Sequence, residues 1–177
     1  MNPYAAIDVA NYIVKKSMDD NKPISNLKLQ KILYYLQARF LVEDGRPLFS
    51  DKIEKWKYGP VTPSTYHEFK RFGSGAINSI ADQLVVDKDD QGKIINVRIK
   101  KFDENEIDKA DRQKIDDTFQ KLRKYGAFDL VEMTHEQTLW SNFKDDILNN
   151  KPVDPYKNEE IKSFFEKNPE EQIWKNK

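Results

Sequence analysis

Apolar positions recur at helical spacing in two stretches near the start of the chain. Tyr4, Ala5, Val9, Tyr12 and Ile13 form the first, with Asn2 as cap, Pro3 as first helical residue, and Lys15, Lys16, Asp19 and Asp20 closing it. Ser25 caps the second, in which Leu29, Ile32, Leu33, Leu36 and Phe40 make an i, i+3, i+4, i+7 stripe that ends at Gly45-Arg46-Pro47. From 48 to 62 the period is lost, and Gly59-Pro60 marks a turn. Thr62-Pro63 then opens a short helix whose Tyr66, Phe69 and Phe72 share a side and which stops at Gly73. Residues 84–86 and 94–99 read as two strands around Asp89-Asp90-Gln91-Gly92. The alternation of Ile95, Val97 and Ile99 predicts that this hairpin is half-buried.

Helices resume afterwards. Asp103 and Glu106 resemble a capping box for a long helix carrying Ile107, Ala110, Ile115, Phe119 and Leu122, with Gly126 as its stop. Leu130 and Val131 belong to a short helix. Residues 134–137 match a second box, starting a helix with Leu139, Trp140 and Phe143. After Pro152 and Pro155, Asn158 caps a last helix with Ile161, Phe164 and Phe165 on its apolar side. The fold class expected is mainly α (α+β): a compact multi-helix domain with a small β-hairpin around residues 84–99. The organisation expected is a domain over 1–150 and a helical extension over 151–177 packed on it.

Composition narrows the possible functions. The 177 residues are 38% hydrophobic and 34% charged, enough apolar material for one core. Thirty basic and thirty acidic side chains cancel, which argues against a protein devoted to coating nucleic acid or an anionic membrane. The absence of cysteine removes disulfides, thiol nucleophiles and thiolate metal sites. The N-terminal sequence lacks the basic start and apolar run of a signal peptide, and no stretch has the roughly 18 apolar residues of a membrane span, so a cytoplasmic chain without membrane contact is expected.

Candidate chemistry is sparse. His135-Glu136 begins like a zinc-protease helix, but Leu139 stands where the second imidazole should be. No serine lies in a Gly-x-Ser-x-Gly elbow, and Gly73-Ser74-Gly75 lacks the pattern of a phosphate loop. No catalytic residue, metal or cofactor is expected. Lys28 and Lys31, with Tyr34 and Tyr35 a turn on, could meet nucleic acid; the solvated side of an amphipathic helix is the expected role, and nucleic acid is not the expected partner.

Four ordered motifs carry a resemblance. They are Asp8-Val9-Ala10-Asn11-Tyr12; Leu27-Lys28-Leu29-Gln30-Lys31-Ile32-Leu33-Tyr34-Tyr35; Leu48-Phe49 with Trp56-Lys57-Tyr58-Gly59-Pro60-Val61; and Thr134-His135 with Trp140. Together they resemble the Panacea domain family of SocA-like antitoxins and phage-associated proteins, over roughly residues 4–143. The family pattern often has proline before the tryptophan, where this chain has Leu139.

The resemblance implies an antitoxin of a bacterial or prophage type II toxin–antitoxin system, with a cognate toxin as protein partner and no chemistry performed. Two alternatives stay open: an adaptor that delivers the toxin to a AAA+ protease such as ClpXP, and a phage DNA-binding regulator. Leu29, Leu33 and Tyr35 belong to the structural motif, while Gln30, Tyr34 and Gln37 are expected to be buried with hydrogen-bond partners, and Lys31 and Thr134 go with them as motif positions. Trp56, Tyr58, Gly59 and Pro60 form either a plug between helices or a rigid contact surface. Tyr66, His135, Trp140, Phe164 and Phe165 complete the expected partner-binding set. Residues 84–99 and 144–177, outside or beside the shared motifs, are the expected selectors of a particular toxin.

Overall fold

A computed structural model describes residues 2–175. Its elements, in order, are α1 (Ala6–Asp19), α2 (Asn26–Glu43), β1 (Glu54–Trp56), β2 (Gly59–Val61), α3 (Pro63–Phe69), β3 (Gln83–Lys88), β4 (Ile94–Lys100), α4 (Lys109–Leu122), α5 (Ala127–Glu136), α6 (Thr138–Ser141), α7 (Lys144–Leu148) and α8 (Asn158–Lys167). Both sheets are two-stranded antiparallel hairpins, β1–β2 and β3–β4, so the expected mainly α class holds.

The architecture is organised around α2. This helix packs against α1, α3, α4, α5, α8 and β2, and its residues 29–38 are all buried. Ser25 caps it as expected, its hydroxyl accepting from Lys28 N. A helix surrounded on every side is ordinarily apolar all round. This one carries Gln30, Lys31 and Gln37 inside, and each must therefore find partners in the interior. The solvated role expected for Lys31 is wrong: the helix has no wet face at that level.

Several boundaries differ from the expectation for local reasons. α1 starts at Ala6, not Pro3, because Tyr4 is held in an extended bridge to Phe49, with Tyr4 N–H donating to Leu48 O and Ser50 N–H to Tyr4 O. The Asp51 carboxylate, 45 positions away, accepts from Ala6 N–H at 2.8 Å and does the work given to Asn2. Asp103 caps only a single 3-10 turn, and the long helix begins after Asp108, whose carboxylate accepts from Ala110 N–H. Gly126 does not stop that helix, which ends at Leu122; it opens α5, with its N–H donated to the Asp129 carboxylate. Thr134 is inside α5 and bonds back to Val131 O, so the next helix starts at Thr138 instead.

The C-terminal section closes the core. Phe165 packs against Tyr34, Tyr35 and Trp174, with ring centroids 5.2–6.0 Å apart. Ile161, Phe165, Ile173 and Trp174 are buried, and Gln172 donates to Phe165 O. The apolar side of this section is therefore interior, not a patch kept for a toxin, and Phe165 has no surface to offer a partner.

The β3–β4 hairpin behaves in the opposite way. Leu84 pairs with Ile99 and Val86 with Val97, which puts all four on one face, with Ile95 extending it. That face points to water: Leu84 is 68% exposed, Ile95 64%, Val97 51% and Ile99 62%. The other face carries Gln83, Asp87, Asn96, Arg98 and Lys100, and ties the base of the hairpin to the body through Gln83 and Lys100, which meet Asp8 of α1. The expected half-buried strand is thus inverted, its polar side anchored and its apolar side free.

Candidate partner-binding surface

The motif residues converge on one place. Gln30 accepts from Thr62 N–H at 2.9 Å and donates to Asn26 Oδ1 and Thr65 Oγ1, which joins α2 to the start of α3. One turn further, Gln37 accepts from Leu48 N–H and Phe49 N–H and donates to Phe49 O and Asn158 Oδ1. A single amide thus satisfies an irregular loop on one side and the first turn of α8 on the other. Tyr34 donates to Gln137 Oε1 at 2.7 Å, and Gln137 donates to Glu171 and, at the long limit of 3.4 Å, to Tyr35. Burial raises the pKa of both phenols, so they remain neutral, Tyr34 as donor and Tyr35 as acceptor.

Lys31 is the most constrained of the set. Its Nζ donates to Pro60 O at 2.8 Å, and burial without a counter-charge pushes its pKa down to about 7. Above it sits Gly59 at φ +88°, where a Cβ would lie 2.5 Å from Thr134 Oγ1 and 3.2 Å from Lys31 Cε. Glycine is required there twice over, by backbone conformation and by lack of room. Trp140 Nε1–H donates to Trp56 O, and the His135 ring stacks on Trp140 with centroids 3.6 Å apart. His135 is held below its ordinary pKa, chiefly by desolvation, against an opposing hydrogen-bond interaction with the Lys57 backbone. Gly59, Pro60 and Trp140, expected at a partner surface, are buried, as is Thr134. They form the clamp that fixes β1–β2 between α2 and α5.

What the clamp presents outward is aromatic. Trp56 is half-buried, its Nε1–H donated to Glu54 and its ring edge-on to Tyr66 at 4.9 Å. At the turn between the strands Tyr58 is 50% exposed, and it meets the 64%-exposed Phe128 of α5 edge-to-face at 6.4 Å. Trp56, Tyr58 and Tyr66, with Leu27 and Val61, line an apolar cavity of about 300 Å³ whose charged lining is Lys57 and Lys70. Phe164 is partly buried elsewhere, on α8, and does not join this surface. Phe128, Leu27 and Lys70 were not among the sequence candidates. Phe128 lies off the Leu130, Val131, Thr134 side of its helix, and that displacement from the buried face is the one signal that could have marked it.

His67 is exposed beside Trp56 and Tyr66, and among the described residues no three His, Cys, Asp or Glu side chains gather as a metal site. No helix of the described residues is long and apolar enough to cross a membrane. A helical scaffold that braces an aromatic surface is the class of structure the geometry defines. The model of the family described as "Antitoxin SocA-like, Panacea domain" matches residues 29–141, and the chain belongs to that family. It is 49% identical over 65 residues to Antitoxin SocA of Caulobacter vibrioides (strain NA1000 / CB15N), an alignment that covers 37% of this chain and 35% of that protein. The match thus spans about a third of the relative's length. No solved structure matches.

Proposed function

We propose that this protein is the antitoxin of a bacterial or prophage toxin–antitoxin pair and neutralises its toxin by direct contact through the aromatic groove of α2, β1–β2 and α3, together with Phe128 of α5 that adjoins it at Tyr58. Family membership supports the antitoxin role. The observation that carries the choice of surface is the exposure of Tyr58 and Phe128 on a backbone locked by Lys31, Gly59 and Trp140. Aromatics already held in place give up little side-chain entropy on docking, which is what a contact hot spot needs. The two lysines at the cavity favour a toxin segment that carries an apolar side chain beside a carboxylate.

Co-expression with the neighbouring reading frame tests this directly. That frame alone should arrest growth, and the antitoxin should restore it at unchanged toxin level. Tyr58→Ala and Phe128→Ala should each weaken binding about 10- to 100-fold, as hot-spot truncations do, with the fold intact. A harmless neighbour refutes the antitoxin role. Full rescue by the double variant would move the contact away from this groove. Protease-dependent loss of toxin during rescue would mean delivery for degradation.

A further inference from the structure

The free face of the β3–β4 hairpin has the area and charge pattern of a surface made for its own copy. Apolar patches this continuous are uncommon on a monomer, and here nothing in the chain lies over Leu84, Val86, Ile95, Val97 and Ile99 among the described residues. From their fractional exposures these residues, with Ile94, expose roughly 600 Å² per molecule, so two such faces bury at most roughly 1,200 Å², the lower limit of a standard specific interface.

The charges around the patch are arranged by end. The base of the hairpin carries Asp82 and Lys101, which are paired with each other and exposed. The other end carries Lys88 on the same face as Leu84 and Val86, followed by the turn with Asp89 and Asp90. A twofold axis perpendicular to the strands, lying between two such faces, places the base of one hairpin over the tip of the other. Lys88 of each molecule then meets Asp82 of the second copy, and Lys101 approaches the acidic turn. This arrangement sends the two helical bodies to opposite ends of the interface. A parallel stacking would crowd the bodies together and leave Lys88 facing Lys88.

We infer that the protein forms a twofold dimer by face-to-face packing of its β3–β4 hairpins, with strands antiparallel across the interface. The contact is isologous and closes on itself, and the two faces make a small aligned sandwich. It lies on the hairpin, apart from the aromatic groove, and its truth does not depend on the toxin reading.

Sedimentation of the full chain from about 1 to 200 μM tests it. A monomer–dimer equilibrium is expected. Val97→Asp should weaken dimerisation by about tenfold or more, as should Leu84→Asp; both sites are exposed, and far-ultraviolet circular dichroism should be unchanged. Asp82→Lys alone should also weaken the dimer, and Lys88→Asp in the same chain should restore it, because the exchanged charges meet again across the axis. Tyr58→Ala should leave the dimer as it is. A monomer at the highest concentration overturns the inference. So does a dimer that survives Val97→Asp, or one in which the double charge exchange is no better than the single. Loss of toxin binding in Val97→Asp, with the chain monomeric throughout, would assign this face to the toxin instead.

Discussion

The two hairpins of this chain are opposites. β3–β4 has the longer strands and the cleaner alternation of branched apolar residues, yet it stands away from the core. β1–β2 has three-residue strands, one holding a lysine and the other opening on Gly-Pro, yet it is clamped into the interior. Strand-forming pattern and burial are therefore separate properties. What draws β1–β2 inward is its partners: Lys31 takes the Pro60 carbonyl, Trp140 the Trp56 carbonyl, and Gln30 the Thr62 N–H that follows. Once these groups are satisfied without water, the short hairpin can be dry. Among the described residues, no comparable set of donors reaches the tip of β3–β4.

The contrast can be broken most sharply at Gly59. Gly59→Ala should cost about 3–5 kcal/mol, combining a positive φ with a clash against Thr134. Chemical denaturation measures it, and a loss below about 1 kcal/mol would mean that the clamp gives way easily. In the background of Thr134→Ala the same substitution should cost less, since the nearest obstructing atom is gone.

Gln30→Ala ranks next. It leaves the Thr62 N–H unsatisfied and should cost about 1–3 kcal/mol. A neutral result would show that water reaches β1–β2 after all.

Lys31 gives a pH signature. Its folded pKa, about 7, lies below the ordinary value of 10.5. Between these values the unfolded chain binds the additional proton, so this residue's contribution to stability rises with pH and is least favourable below about 7. The stability of the native chain minus that of Lys31→Met should climb between about pH 7 and 9.5, by at most about 1.4 kcal/mol per unit. A flat difference would place a counter-charge or water beside the amine.

The smallest effect belongs to the other hairpin. Ile99→Thr and Leu84→Thr should change stability by no more than about 0.5 kcal/mol, since neither side chain is buried in the single chain. A loss above about 2 kcal/mol in dilute solution would show that this face packs on the body.

Periodicity made α2 and its Ser25 cap legible, along with the position of the β3–β4 pair. It could not show that α2 is enclosed. An amphipathic reading assigns one dry face, and Lys31 fell on the other; its acceptor is 29 positions away, in a loop without period. Likewise, alternation located Val97 and Ile99 on one side of a strand, but the side that is wet depends on Asp8 holding Gln83 and Lys100 from below. Phe165 reads equally well as an anchor for a partner or as core, and the rings of Tyr34, Tyr35 and Trp174 decide it. Trp56 and Tyr66 stood out in the sequence as large aromatics near a turn, while the groove they line needed Leu27 and Lys70 from other elements.

The sealed amine of Lys31 has a practical consequence. With its pKa close to neutrality, it is an interior amine that an acylating reagent would attack quickly once it could reach it. While the Gly59-Pro60 segment lies across it, the reagent is shut out, and modification must wait for that segment to lift. The rate at which mass is added at this residue would thus act as a clock for the opening of the motif, read by peptide mass spectrometry, with a bound toxin slowing or hastening the tick.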